Sequence, residues 1–110
     1  CERYVKYQLP DDAEARRAGA CALAAYHTLG CRDGARIDFR SDDSGSPNFL
    51  EANPIAGLHP SHSDLPILTT LAGYSYNWLI GEILQSALQR YDLTIPIAKV
   101  RARGSAVGLA

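Results

Sequence analysis

Arg36-Ile37-Asp38-Phe39-Arg40 and Phe49-Leu50-Glu51-Ala52-Asn53 are two short alternating runs, separated by Ser41-Asp42-Asp43-Ser44-Gly45-Ser46. The intervening stretch consists of turn formers, so the two runs are predicted to pair as a β-hairpin. Side chains alternate across a strand, which places Ile37, Phe39, Leu50 and Ala52 on one apolar face. Arg36, Asp38, Arg40, Glu51 and Asn53 then share the other face. The register that keeps the apolar sets together sets Asp38 opposite Glu51 and Arg36 opposite Asn53. Two carboxylates directly opposed across an antiparallel pair repel each other, so a positive group is expected between them. A cluster of hard oxygen donors of this kind suits Mg²⁺ with bound phosphates. By the same repulsion, replacing Glu51 with Gln is expected to raise the melting temperature when no metal complex is bound.

The 110 residues suffice for one domain with a modest core, and 46% apolar with 21% charged residues is ordinary globular composition. A formal net charge of −1 provides no basic field for nucleic acid and no polybasic patch for a membrane surface. No apolar run approaches the ~18 residues needed to cross a bilayer, and the first residues do not form a signal peptide. Cys1, Cys21 and Cys31 are odd in number and lack zinc-ligand spacing. Cys21 falls in an alanine-rich helical stretch, where a reduced, buried thiol is expected. Together these features point to a cytoplasmic protein without structural disulfides. The chain has no methionine and opens on Cys1 within a strand-like segment, so it reads as part of a longer polypeptide.

Along the chain, Glu2 to Gln8 alternates like a strand and is closed by Pro10. Asp11 with Glu14 resembles a capping box, opening a helix to about Leu29 whose Ala18, Ala22, Ala25 and Leu29 share one face. Gly30 is placed to end that helix in the left-handed region. After the hairpin, Pro54 to His62 is irregular. Ser63 is placed to cap a helix to about Ala72, stopped by Gly73. Ser75 caps a further helix, in which Tyr76, Ile80, Ile83, Leu84, Ala87, Leu88 and Tyr91 form an amphipathic stripe. Leu93 to Ile97 can form a short strand, and residues 92–110 read as that strand or a mobile tail. The expected architecture is β-α-β-β-α-α over 1–91, an α+β domain with helices packed on one face of a small antiparallel sheet.

Leu29-Gly30-Cys31-Arg32-Asp33-Gly34-Ala35-Arg36-Ile37-Asp38-Phe39, Phe49-Leu50-Glu51-Ala52-Asn53-Pro54-Ile55-Ala56-Gly57-Leu58 and Ala72-Gly73-Tyr74-Ser75-Tyr76 carry a further signal. In these motifs the chain, from about Tyr7 to Arg90, resembles the C-terminal domain of D-alanine–D-alanine ligases, the C-terminal half of an ATP-grasp domain. The Asp…Glu-x-Asn trio alone is shared by many ATP-grasp enzymes. The Leu-Gly-Cys lead-in, the Arg two residues before the Asp and the Gly-Leu after the Asn are more specific. By this resemblance Asp38, Glu51 and Asn53 hold two Mg²⁺ ions (or Mn²⁺) on the ATP phosphates, and Leu50 contributes to nucleotide binding. Arg36 stabilises charge on the transferring phosphoryl group and the tetrahedral intermediate, and it is also a candidate partner neutralising Asp38.

The resemblance implies an ATP-dependent carboxylate–amine ligase serving cell-wall precursor synthesis. The carboxylate of one D-amino acid is activated as an acyl phosphate, and the amine of a second displaces phosphate. Gly57 and a serine at the start of the next helix anchor the acceptor's carboxylate. Ser63 is favoured for that serine, with Ser61 and His62 as alternates, because the loop is one residue longer than usual. Ala56 stands where the family usually has Pro, and His59 where it has Ser or Thr, which leaves the acceptor open. Other readings are an ATP-grasp ligase for another acceptor, or a catalytically silent module derived from one. No counterpart of the N-terminal domain or of the ATP-gripping central domain is present, so these residues alone are expected to turn over no substrate. The implied partners are those domains and small-molecule D-amino acids, not nucleic acid or membrane, and a homodimer stays open.

Plainer roles apply to several residues. Asp38 alone is an ordinary solvent-facing carboxylate, and it is Glu51 opposite with Asn53 two residues along that raises a metal site. Asp42 and Asp43 are turn residues, and His27 is a surface residue. His59 and His62 lack the third soft ligand that a transition-metal site needs.

Overall fold

A computed structural model describes residues 5–94. In chain order its elements are α1 (Ala13–Thr28), β1 (Arg36–Ser41), β2 (Pro47–Asn53), α2 (Asp64–Leu71) and α3 (Tyr76–Arg90). The fold is α+β with a two-stranded antiparallel sheet. The expected strand over Glu2 to Gln8 does not form across residues 5–8, and 2–4 lie outside the described residues. A strand needs a ladder partner, and this segment is held by a side chain instead: the Tyr7 hydroxyl donates to Asp64 Oδ1 at 2.7 Å. The described residues form two compact units, 10–56 and a second built from 5–9 and 57–94.

In the first unit α1 packs against both strands. Asp12, one residue later than expected, caps the helix by accepting from the Ala15 N–H at 2.8 Å. The half-buried stripe is Ala15, Ala18, Ala22, Ala25 and Tyr26. Cys21 lies just off that stripe and is exposed, not buried as expected; Cys31 is half-buried, and both are free thiols. The Leu29 side chain is exposed as well. Helix α1 ends as anticipated. Gly30 takes φ +71, its N–H meets the His27 carbonyl, and the Cys31 N–H meets that of Tyr26.

The hairpin turn is organised by Asp42. Its Oδ1 accepts from the Ser44 N–H at 2.9 Å, the Ser44 hydroxyl at 2.6 Å and the Ser46 N–H at 3.0 Å. The Ser44 hydroxyl foremost, then the Ser46 amide, hold this carboxyl below the usual aspartate range. Gly45 takes φ +80, which a side chain would strain. Arg17 Nη2 reaches the Gly45 carbonyl at 3.2 Å and ties α1 to the turn.

The second unit holds the buried residues among those described: Pro66 and Thr69 on α2, with Leu79, Gly81 and Leu88 on α3. Burying the two leucines contributes roughly 1.5–3 kcal/mol each. Ser75 caps α3 by accepting from the Trp78 N–H at 3.0 Å. The α3 stripe is narrower than expected: Leu84 and Tyr91 are exposed, and Leu79 takes a central place. The expected strand from Leu93 does not begin within the described residues, and 95–97 lie outside them.

Helices α2 and α3 end in the same motif as α1. After α2 the left-handed residue is Gly73 (φ +93), but after α3 it is Asp92 (φ 55), with the Leu93 N–H on the Leu88 carbonyl at 2.8 Å. A non-glycine residue there is strained, and a carboxylate at a helix C-terminus opposes the macrodipole. Asp92→Gly is therefore expected to stabilise the protein by about 1 kcal/mol. Urea denaturation should show a higher midpoint with an unchanged slope; an unchanged midpoint would count against strain at Asp92.

Candidate active site

The strands bring the sequence-identified residues of the first unit onto one surface. Arg36 pairs with Asn53, Ile37 with Ala52 and Asp38 with Glu51, as the alternation requires. Beyond Asp38 the register shifts: Phe39 pairs with Phe49 and Arg40 with Asn48, so Leu50 is the extra residue of a β-bulge. Phe49, not Leu50, therefore faces Phe39, the two rings meeting edge-on at 5.9 Å. The signal was present in the sequence. Phe49 and Leu50 are adjacent apolar residues that one regular strand cannot place on one face. The bulge leaves Leu50 60% exposed.

Arg36 is the positive group that the opposed carboxylates call for. Its Nε donates to Asp38 Oδ1 at 3.0 Å and its Nη2 to Asp38 Oδ2 at 3.1 Å, a two-pronged pairing. The same Nη2 reaches Glu51 Oε1 at 3.1 Å. One guanidinium thus holds both carboxylates and offsets the repulsion from which a gain on neutralising Glu51 was expected. It also draws them to a common side of the hairpin, where Asn53 occupies the adjacent pair.

Two carboxylates and an amide oxygen on neighbouring positions are hard donors that fit Mg²⁺ or Mn²⁺. Among the described residues no cluster of three or more His, Cys, Asp or Glu could hold a metal. An ion at this pair would therefore need the Asn53 oxygen and oxygens from outside the protein. Mg²⁺ commonly binds that way, through one or two carboxylates plus phosphates.

Gly57, Ser61 and Ser63 belong to the second unit. A side chain at position 57 has no room: a Cβ there would stand 2.7 Å from Ser63 Oγ and 3.3 Å from Ser63 Cβ. Ser63 has the extended backbone of an N-cap, but its hydroxyl makes no capping bond. It accepts instead from the His59 N–H at 2.9 Å. The expected side-chain cap is thus replaced by a bond into the preceding loop, where the Ser63 N–H also closes a turn on the His59 carbonyl at 3.1 Å. Ser61 is exposed and directs its N–H to His59 Nδ1 at 3.2 Å. The His59 and His62 rings lie 4.4 Å apart. Sequence reasoning weighed His59 only as a metal ligand and a departure from the family pattern, and missed its place in this turn.

No helix among the described residues is long and apolar enough to cross a membrane. The family described as D-ala D-ala ligase C-terminus matches residues 3–85. The D-alanine–D-alanine ligase of Alcanivorax borkumensis is 36% identical over 80 residues, which cover 73% of this chain and 26% of that protein. The chain thus spans about a quarter of that relative's length, 26%. A crystal structure of D-alanine–D-alanine ligase from Bacillus anthracis matches with a TM-score of 0.72 and 29% identity, covering 80% of this chain and 29% of that one. The Bacillus anthracis ligase complexed with ATP matches with a TM-score of 0.69 and 29% identity, covering 84% of this chain and 33% of that one.

Proposed function

The chain belongs to the D-Ala–D-Ala ligase C-terminal family, and from that premise we propose that it is the C-terminal catalytic part of an ATP-dependent carboxylate–amine ligase. The ligase joins two D-amino acids for cell-wall precursor synthesis in the cytoplasm, together with the ATP-grasp and N-terminal domains of a longer polypeptide. The observation that carries this reading is the Asp38–Arg36–Glu51 arrangement on one hairpin face, with Asn53 beside it. ATP as the phosphoryl donor is supported by the ATP complex of the Bacillus anthracis ligase.

In this reading Asp38, Glu51 and Asn53 hold Mg²⁺, which when bound neutralises phosphate charge and polarises the transferring group. The protein contributes positioning and fixed charge. Arg36, held beside the two carboxylates on the same face, would set its guanidinium against the charge that develops in the transition state. Leu50, exposed at the bulge, offers apolar surface to the nucleotide. The Ser63 hydroxyl already accepts from the His59 amide, so its own hydrogen is available to donate to the acceptor's carboxylate beside Gly57.

Ser63→Ala in the complete ligase tests the acceptor site. Losing a hydrogen bond to a charged group costs about 1.5–3 kcal/mol, so the Michaelis constant for the second amino acid should rise about ten- to a hundredfold. That for ATP should be nearly unchanged, and Ser61→Ala should be milder. Steady-state kinetics with each substrate varied in turn decide it. A rise with Ser61→Ala but not with Ser63→Ala would move the site.

A further inference from the structure

We infer that His59 is a positioning residue for the acceptor's carboxylate, holding the Ser63 hydroxyl beside Gly57 through a turn that its own ring closes. This rests on Gly57 and Ser63 being the acceptor site and adds what sets that site. Three groups of His59 converge on the turn. Its N–H donates to Ser63 Oγ at 2.9 Å, its carbonyl accepts from the Ser63 N–H at 3.1 Å, and its Nδ1 accepts from the Ser61 N–H at 3.2 Å. The first two hold the Ser63 hydroxyl in one orientation, and Gly57 leaves only the width of a hydrogen for the contact on its other side.

The third bond is the one that needs this side chain. Pro60 has no N–H, so Ser61 carries the first amide after His59, and that amide is directed to the ring. An amide N–H can only donate, so in this bond Nδ1 is the acceptor and Nε2 is the ring nitrogen that carries a hydrogen. The ring thereby acts as an aspartate or asparagine side chain does when it accepts from the amide two residues on. The His62 ring, 4.4 Å away and tilted by 34°, packs alongside. Without an acceptor at position 59 the turn loses its inner bond, and the His59 amide no longer holds the Ser63 hydroxyl in place.

The test compares His59→Asn, which keeps an acceptor for the Ser61 amide, with His59→Phe, which keeps a ring and removes the acceptor. In the complete ligase, His59→Phe should raise the Michaelis constant for the acceptor D-amino acid about three- to tenfold, with kcat and the constant for ATP nearly unchanged. His59→Asn should stay within about twofold of the parent. In ¹H–¹⁵N spectra the Ser61 amide resonance should keep its position in His59→Asn and move in His59→Phe. An unchanged acceptor constant in His59→Phe, beside a raised one in Ser63→Ala, overturns the role of His59 and leaves the acceptor site standing. No effect from Ser63→Ala overturns the site itself, and the inference with it. Equal damage from both His59 variants, or an equal rise in the constant for ATP, would show that the ring does not act as the acceptor proposed.

Discussion

Arg36→Ala is expected to lower kcat of the complete ligase by about a hundred- to a thousandfold, the loss seen when a preorganised donor is removed from developing charge. The same substitution should cost no more than about 1 kcal/mol of stability, because its ion pairs are substantially exposed. The side chains of Arg36, Asp38 and Glu51 are 38%, 33% and 62% accessible, and pairs open to solvent contribute little. Stability and activity are therefore predicted to separate. Arg36→Lys sharpens the test. An ammonium keeps the charge between Asp38 and Glu51 but cannot reproduce the two parallel bonds to Asp38 at 3.0 and 3.1 Å. It should restore most of the melting temperature and little of the rate. Full activity in Arg36→Lys would show that charge alone suffices. A large stability loss in Arg36→Ala with the rate preserved would make Arg36 a structural partner of the carboxylates and nothing more.

What could be read in advance follows how far each determinant reaches along the chain. Gly30 and Gly73 announce helix ends because the left-handed conformation is local and glycine adopts it without cost. Asp92 takes the same place against its own preference, so its residue type does not announce the motif. The pairing of Asp38 with Glu51 was legible because the side-chain period of a strand is two, and every residue from Arg36 to Asp38 obeys it. It failed at Leu50, where a bulge accommodates two neighbouring apolar residues. The Tyr7–Asp64 bond joins residues 57 apart, and no local pattern records it. Nor does residue type tell whether Ser63 spends its oxygen on its helix or on His59.

Glu51→Gln is the second large effect, and the structure changes what it should do to stability. An opposed carboxylate pair without a counterion would gain from neutralisation. Here Arg36 Nη2 lies 3.1 Å from Glu51 Oε1 while Arg36 also holds Asp38, so the repulsion is already offset. A neutral amide keeps an acceptor oxygen for that guanidinium, and the site is open to solvent. The melting temperature should therefore shift by no more than the equivalent of about 1 kcal/mol in either direction. The effect on the reaction should be far larger. Metal assistance contributes several kcal/mol of charge stabilisation, so removing one of the two carboxylates proposed to hold the metal should cost about two to three orders of magnitude in kcat. Binding supplies an independent readout: Mn²⁺ titration in the presence of a non-hydrolysable ATP analogue, followed by electron paramagnetic resonance, should show weakened metal uptake in Glu51→Gln. Asp38→Asn should weaken it too, and it also removes the carboxylate that takes both prongs of Arg36. Metal uptake equal to the parent in both variants would place the ions elsewhere and leave the hairpin face as an ion-paired surface. Undiminished uptake with a lost rate would instead assign Glu51 to orienting Arg36, since the 3.1 Å bond between them would then be the interaction whose loss slows the reaction.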